Sequence, residues 1–173
     1  MSPSSFVAGW IPRLAARVEP PRRALDLAMG RGRHALQLAR HGFKTFGVDR
    51  KYDAVRDSVA AAAHDGLRVH GWCADLTISP LPVEAFDLVV VTRYLERNLF
   101  ASIQNAVKPG GFVLYETFTV AQRTLGSGPT SADHLLEPGE LRDRFRGWVE
   151  LFYEEVASPE AVARLAAQRP FNP

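Results

Sequence analysis

Residues 24–35 read Ala24-Leu25-Asp26-Leu27-Ala28-Met29-Gly30-Arg31-Gly32-Arg33-His34-Ala35. A short apolar run carrying one acid meets a Gly-x-Gly turn. A helical pattern follows from about Gly32 to His41, with Ala35, Leu36, Leu38 and Ala39 as its apolar face. That order predicts a strand over about 23–28, a turn whose N–H groups can face a ligand, and then a helix. The spacing Gly30-Arg31-Gly32-Arg33-His34-Ala35 satisfies G-x-G-x-x-G/A. A second strand pattern over 44–49 ends in Asp49, roughly 20 residues on, where an acceptor for ribose hydroxyls belongs. The pair predicts a site for an adenosine-containing cofactor.

Outward from this stretch the pattern keeps alternating. Tyr52 to His64 is Ala-rich and helical, closed by Asp65-Gly66, and a strand is expected over 67–72. Phe86 to Val91 is a continuous apolar run, as in a parallel strand buried on both faces. A helix over 97–107 carries Leu99, Phe100, Ile103, Ala106 and Val107. Lys108-Pro109-Gly110-Gly111 is expected to stop it and turn the chain into a strand over 112–118. Strands alternating with helices predict right-handed βαβ units and one parallel sheet. The N-terminal segment, Ser2 to Val18, reads as helical, and Pro12 predicts that its regular part begins there. Residues 119–138 read as a long loop rich in Gly, Ser and Pro. A short helix over 139–145 and strands over 149–156 and 162–168 complete the chain, the last also compatible with helix.

The 173 residues are 46% hydrophobic and 23% charged, values that fit one globular domain with a core. The formal charge is +2 and no block of like charge occurs, which argues against a nucleic-acid footprint. Cys73 is the only cysteine, so no internal disulfide is possible. No signal-peptide pattern and no membrane-length apolar run is found, so the expected protein is cytoplasmic, without a membrane partner.

Three details favour S-adenosylmethionine over a nicotinamide dinucleotide. Asp26 lies four residues before Gly30, where a pyrophosphate would be repelled and a cationic cofactor tolerated. A third acid, Asp75, follows the third strand, where an adenine amino group would sit. The length leaves little room for the substrate domain of many dehydrogenases.

Taken together, Leu25 to Gly32, Gly47-Val48-Asp49, Cys73-Ala74-Asp75, Phe86 to Val89 and Val107 to Gly111 resemble the successive motifs of class I S-adenosylmethionine-dependent methyltransferases. The resemblance covers about residues 23–118. Arg31-Gly32-Arg33-His34, Arg93-Tyr94-Leu95 and Tyr115-Glu116-Thr117-Phe118 are similar to small bacterial members of the tellurite-resistance type. Ala28-Met29 departs from the Gly-Cys or Ala-Cys common there. The Asn-Pro-Pro-Tyr signature of amino-methylating members is absent, and strand four ends Val91-Thr92-Arg93-Tyr94.

The resemblance implies an α/β fold: a single-domain Rossmann-like sandwich over 1–173, with helices on both faces. Its seven-stranded sheet is mostly parallel, with an antiparallel last strand. It implies a cofactor site of Asp26, Ala28, Gly30, Gly32, Asp49, Arg50, Ala74, Asp75, Leu76 and Thr92. Asp49 would take the ribose hydroxyls and Asp75 the adenine amino group. Asp26 would shape the turn and meet the cofactor's amino group through water. The acceptor side is expected at Arg93, Tyr94, Glu116 and His134, with Arg93 or Arg97 holding an anionic or polar acceptor. Residues 1–20 and 119–138 are candidate lids.

The expected reaction is methyl transfer to a small-molecule acceptor, leaving S-adenosylhomocysteine, by in-line displacement that needs alignment more than a catalytic group. No catalytic residue and no metal ligand is assigned. A monomer or weak homodimer without nucleic acid is expected. The alternatives are a non-catalytic S-adenosylmethionine-binding module and a nicotinamide-dependent oxidoreductase.

Overall fold

A computed structural model describes residues 2–171; Met1, Asn172 and Pro173, the ends of the expected 1–173 domain, lie outside the described residues. The elements are α1 Ser5–Ala15, β1 Arg23–Leu27, α2 Arg33–Arg40, β2 Lys44–Asp49, α3 Tyr52–His64, β3 Val69–Cys73 and β4 Phe86–Thr92. They continue with α4 Phe100–Ala106, β5 Val107–Phe118, α5 Glu140–Arg144, β6 Val149–Val156 and β7 Val162–Gln168. One sheet carries all seven strands in the order β3-β2-β1-β4-β5-β7-β6. β3, β2, β1, β4 and β5 pair in parallel, and β7 runs antiparallel to both of its neighbours. This is the mostly parallel Rossmann-like sandwich that the resemblance implies, with the antiparallel strand last in sequence.

Central strands explain themselves by burial. Leu88 to Val91 are fully shielded, with Leu88 and Val90 facing α1 and α2, and Val89 and Val91 facing α4 and α5. β7 is Ala-rich because it lies between two strands with layers above and below. Ala163, Ala166 and Ala167 are no more than 1% exposed, and a larger side chain there would overpack.

Several boundaries differ from the expectations. The first helix does not begin at Pro12. It starts at Ser5, where the Ser4 hydroxyl accepts from the Val7 N–H at 3.4 Å, and it carries Pro12 inside. Phe6, Val7, Ile11 and Leu14 are buried against the sheet. At about 1.5–3 kcal/mol each, they outweigh the roughly 3 kcal/mol cost of an interior proline. The helix over 97–107 splits into a 3₁₀ turn at Arg97–Leu99 and the short α4. Lys108 to Gly111 do not form a separate turn but belong to β5. Val107 pairs with Phe86, and the Gly110 N–H donates to the Arg169 carbonyl at 3.0 Å. β3 begins two residues later than expected, in register with β2 so that Asp49 faces Cys73. The 119–138 segment is not featureless: it holds 3₁₀ turns at Val120–Leu125 and Ala132–His134. Leu135 and Leu136 are fully buried, and Leu136 bridges to Thr119.

Among the described residues, no helix is long and apolar enough to cross a membrane. Chain order sends β2 and β3 to one side of β1, and β4 and β5 to the other. The crevice at such a reversal, outside the carboxyl ends of the strands, is where α/β sheets take their ligands.

Candidate functional site

The turn after β1 is built on positive φ angles: Ala28 at 54°, Gly30 at 54° and Gly32 at 71°. The Met29 N–H donates to the Val48 carbonyl at 2.9 Å, which holds the turn beside β2. Gly30 faces open space, with nothing within 4 Å of where a Cβ would stand. Gly32 has the opposite reason for being glycine: a Cβ there would lie 1.8 Å from the Ser58 hydroxyl oxygen on α3. Ala28 has no such excuse and carries strain of about 1–2 kcal/mol.

Asp49 ties this turn to the next one. Its Oδ2 accepts from the Gly30 N–H at 2.9 Å and its Oδ1 from the Lys51 N–H at 2.9 Å. An ionised carboxylate has about four acceptor sites, so two bonds leave capacity on both oxygens. Asp75 closes the turn after β3. Its Oδ1 accepts from the Thr77 N–H at 2.9 Å and the Thr77 hydroxyl at 2.7 Å, which holds its carboxyl below the usual range.

Beneath the glycine turn lie two buried titratable groups. Asp26 is fully enclosed; its Oδ2 accepts from the Ala35 N–H at 2.8 Å, while Oδ1 has no hydrogen-bond partner. Burial raises its pKa to about 7, against the lowering effect of that bond and of Arg33. His34 is 1% exposed, and burial followed by the charges of Arg33 and Arg93 lowers its pKa to about 4. Its Nε2 accepts from the Ser4 N–H at 3.0 Å, so the ring proton sits on Nδ1 and donates to the Thr92 hydroxyl at 3.2 Å. One neutral imidazole thereby joins the start of α1, the start of α2 and the end of β4.

These turns line one cleft of about 540 Å³ at the carboxyl ends of the strands. One wall holds Ala28, Gly30, Asp49, Arg50, Ala74, Asp75 and Leu76. The lining continues with Arg93, Tyr94 and Leu95 after β4, Phe118 at the end of β5, and Pro129 and His134 beyond it. Arg93 has φ 53°. Its guanidinium meets both Glu160 oxygens at 2.7 Å and lies 5.5 Å from the centre of the Phe118 ring.

The remaining expected site residues stand elsewhere. Asp26, Gly32, Thr92 and Glu116 do not line the cleft. Glu116 is buried and accepts from Arg164 Nε at 2.5 Å, and Arg164 also reaches Glu154 at 2.8 Å. Arg97 is engaged away from the cleft wall, with both Glu140 oxygens at 2.8 Å and with the Leu135 carbonyl at 2.8 Å. Burial alone would raise the Glu140 pKa, but the Arg97 bonds and the Glu137 N–H bring it to about 2. Of the expected lid over residues 1–20, the described residues 2–20 do not line the cleft, and Phe6 and Trp10 pack on Phe152 across the sheet. From 119–138, Pro129 and His134 do reach the cleft.

The sequence reading missed Lys51, Ala54, Thr77, Leu95, Phe118 and Pro129 as lining residues. All except Pro129 lie within a few positions of a strand's carboxyl end, and that placement was their only signal. The exposed Cys73 thiol donates to the Arg50 carbonyl at 3.3 Å. Among the described residues, no cluster suited to a metal ion is found.

The open space at Gly30 and the spare acceptor capacity of Asp49 suit a ligand that carries a diol. Comparison with known proteins agrees. A family model described as a methyltransferase domain matches residues 24–111, half of the chain. The ribosomal RNA small subunit methyltransferase C of Alcanivorax borkumensis is 32% identical over 115 residues, which cover 61% of this chain and 34% of that protein. The match thus spans about a third of that relative's length. TehB from Haemophilus influenzae superposes with a TM-score of 0.73 at 18% identity, over 93% of this chain and 62% of that one. An S-adenosylmethionine-dependent methyltransferase from Mesorhizobium loti gives 0.71 at 22% identity, over 94% and 98%. At these identities the two structures share the fold.

Proposed function

The chain belongs to the class I S-adenosylmethionine-dependent methyltransferases, and from that premise we propose that it methylates a small-molecule acceptor in the β1–β4 cleft. The observation that carries the reading is that one cleft is lined both by Gly30, Asp49 and Asp75 and by Arg93, Tyr94, Phe118 and His134.

S-adenosylmethionine, when bound, supplies an activated methyl group. The chain's own residues align donor and acceptor and exclude water. In this reading Asp49 accepts from the ribose hydroxyls, Asp75 from the adenine amino group, and Ala74 and Leu76 flank the ring. Tyr94 and Phe118 give the acceptor side an apolar surface, and residues 119–138 cover it. Arg93 holds a polar or anionic acceptor by exchanging its Glu160 partner for the acceptor's own charge. Arg97 is dropped from that role because Glu140 and Leu135 occupy it.

The absence of an Asn-Pro-Pro-Tyr end on β4 supports a small acceptor over a nucleic-acid base. The lone cysteine suits a cytoplasmic protein, and we take it as one domain, monomeric or weakly dimeric.

The test is incubation with methyl-labelled S-adenosylmethionine and a panel of small thiols, metalloid oxyanions, halides and carboxylated metabolites. Acceptor-dependent formation of a labelled product and of S-adenosylhomocysteine is expected, with Arg93→Ala reducing turnover. Tight cofactor binding with no product from any acceptor would favour a non-catalytic module instead. Binding of NADH in place of S-adenosylmethionine would overturn the reading.

A further inference from the structure

Arg93 and Glu160 form an ion pair whose backbones are fixed and whose side chains are free to part. The Arg93 N–H donates to the Glu116 carbonyl at 2.8 Å, and the residue, at φ 53°, lines the cleft. Glu160 stands in the turn between β6 and β7, outside the cleft lining. The next residue, Ala161, is held twice. Its N–H donates to Oε1 of the buried Gln122 at 2.7 Å, and its carbonyl accepts from the Thr119 N–H at 2.9 Å. The two side chains of the pair are 40% and 44% exposed. Parting them changes two rotamers and leaves both charges in water, so the pair is worth little to the fold. The pairs of Arg97 with Glu140 and of Arg164 with Glu116 differ, because their carboxylates are largely buried and cannot be released so cheaply.

The contact is also incomplete. A single nitrogen, Nη2, donates to both Glu160 oxygens at 2.7 Å, and Nε and Nη1 donate to no group among the described residues. A carboxylate approaching from the cleft can take two guanidinium nitrogens in a fork, which is the stronger arrangement. Arg33 adds to that pull. It lies close enough to feel the charges of Arg93, Glu116 and Glu160, and Glu116 is already held by Arg164. Beside Arg93 the cleft lining is apolar, with Leu95, Phe118 and Pro129 and the ring of Tyr94.

We propose that Glu160 is an internal stand-in for the acceptor: the acceptor carries a carboxylate on an apolar body, that carboxylate displaces Glu160 from Arg93, and Glu160 sets the affinity for it by competition. This rests on the reading of Arg93 as the residue that holds the acceptor. A neutral molecule of the same shape offers Arg93 nothing better than Glu160 and is passed over.

The experiment is calorimetric titration with benzoate, and with benzamide as its uncharged counterpart, on protein saturated with S-adenosylhomocysteine. Wild type should bind benzoate about threefold or more tighter than benzamide. Arg93→Ala should weaken benzoate binding about tenfold or more. Glu160→Gln removes the competing charge and should tighten benzoate binding about two- to fivefold, the worth of an exposed ion pair. Glu160→Asp keeps the charge but shortens the reach by one methylene group, and it should tighten benzoate binding to a similar degree.

A gain shared by both Glu160 variants is the signature of displacement. A gain confined to Glu160→Gln would be a field effect at a distance and overturns the proposal. So does unchanged benzoate affinity in both variants, or equal binding of benzoate and benzamide by wild type. Failure of wild type to bind benzoate refutes the carboxylate class while leaving methyl transfer to another small acceptor standing. If Arg93→Ala binds benzoate as wild type does, the placement of the acceptor at Arg93 falls as well, which is a separate failure from a loss at Arg93 without a gain at Glu160.

Discussion

Asp49→Ala separates a brace from a binding group. In the structure its two oxygens each accept one backbone N–H, from Gly30 and Lys51, both at 2.9 Å. Those donors stand at the cleft wall, where water can replace the lost acceptor, so the stability cost is that of two ordinary hydrogen bonds, about 1–3 kcal/mol in all. If Asp49 also accepts from a ribose diol, two charge-assisted bonds disappear on binding. At about 1.5–3 kcal/mol each, and with part of that recovered by water, affinity should fall by at least one order of magnitude and by as much as three. Urea unfolding gives the first quantity and calorimetric titration with S-adenosylhomocysteine the second. A variant that loses stability as stated but binds within threefold of wild type would refute the binding role. It would leave Asp49 as a link between the turns after β1 and β2.

Ala28→Gly relieves about 1–2 kcal/mol of left-handed strain and adds about 0.5–1 kcal/mol of chain entropy to be lost, so a net stabilisation of up to about 1.5 kcal/mol is expected in denaturant unfolding. Arg97→Ala leaves Glu140, whose side chain is 13% exposed, with only Arg144 as cationic partner, and frees the Leu135 carbonyl; a loss of about 1–3 kcal/mol and faster proteolysis within residues 126–134 should follow. Asp75→Ala should weaken S-adenosylhomocysteine binding about tenfold or more, while the affinity of an analogue without the adenine amino group changes little.

The pH dependence of stability sets His34 against Asp26. Neutral His34 stabilises the fold above its unfolded pKa of 6.5, and that stability is lost as pH falls toward about 4. Asp26 works in the other direction, since its protonated form is favoured in the fold and stability is lost as pH rises from 3.8 toward about 7. Asp26→Asn should therefore expose the His34 effect, with stability falling by up to about 3 kcal/mol between pH 6.5 and pH 4, where wild type stays nearly level.

The alternation of strands and helices was legible because each signal is local. An apolar run such as Leu88 to Val91 can only be a doubly buried strand in this setting, and the glycine turn fixes where the first helix begins. That Asp49 and Asp75 line one cleft was legible for the same reason, since Asp49 ends β2 and Asp75 follows the end of β3 by two residues. What the sequence could not give were pairings between distant residues. Arg97 has the composition of an anion binder, and only the fold brings Glu140, 43 residues on, to claim it. Gln122 sits in a stretch of loop composition yet is buried, accepting from the Ala161 N–H at 2.7 Å and donating to the Ser127 carbonyl at 2.8 Å. Glu116 follows the same rule, its carboxyl drawn off the cleft by Arg164. Pro12 misled because local propensity was weighed without the burial of the helix that contains it.

Strain gives an independent sign of where this fold is specialised. Non-glycine residues with positive φ among the described residues are Ala28, Glu84 and Arg93. Two of them, Ala28 and Arg93, directly follow β1 and β4, the neighbouring strands at the reversal of chain order, and both line the cleft. Neither conformation is favoured by its own residue, so each must be held from outside. The Met29 bond to Val48 fixes the first, and the Arg93 N–H bond to the Glu116 carbonyl at 2.8 Å fixes the second. His34 then couples the two turns through α2 and Thr92. A cleft framed by two strained turns costs the fold about 2–4 kcal/mol. A merely structural crevice gains nothing from that cost, and under the proposed function the strain serves the geometry in which the cleft holds its ligands.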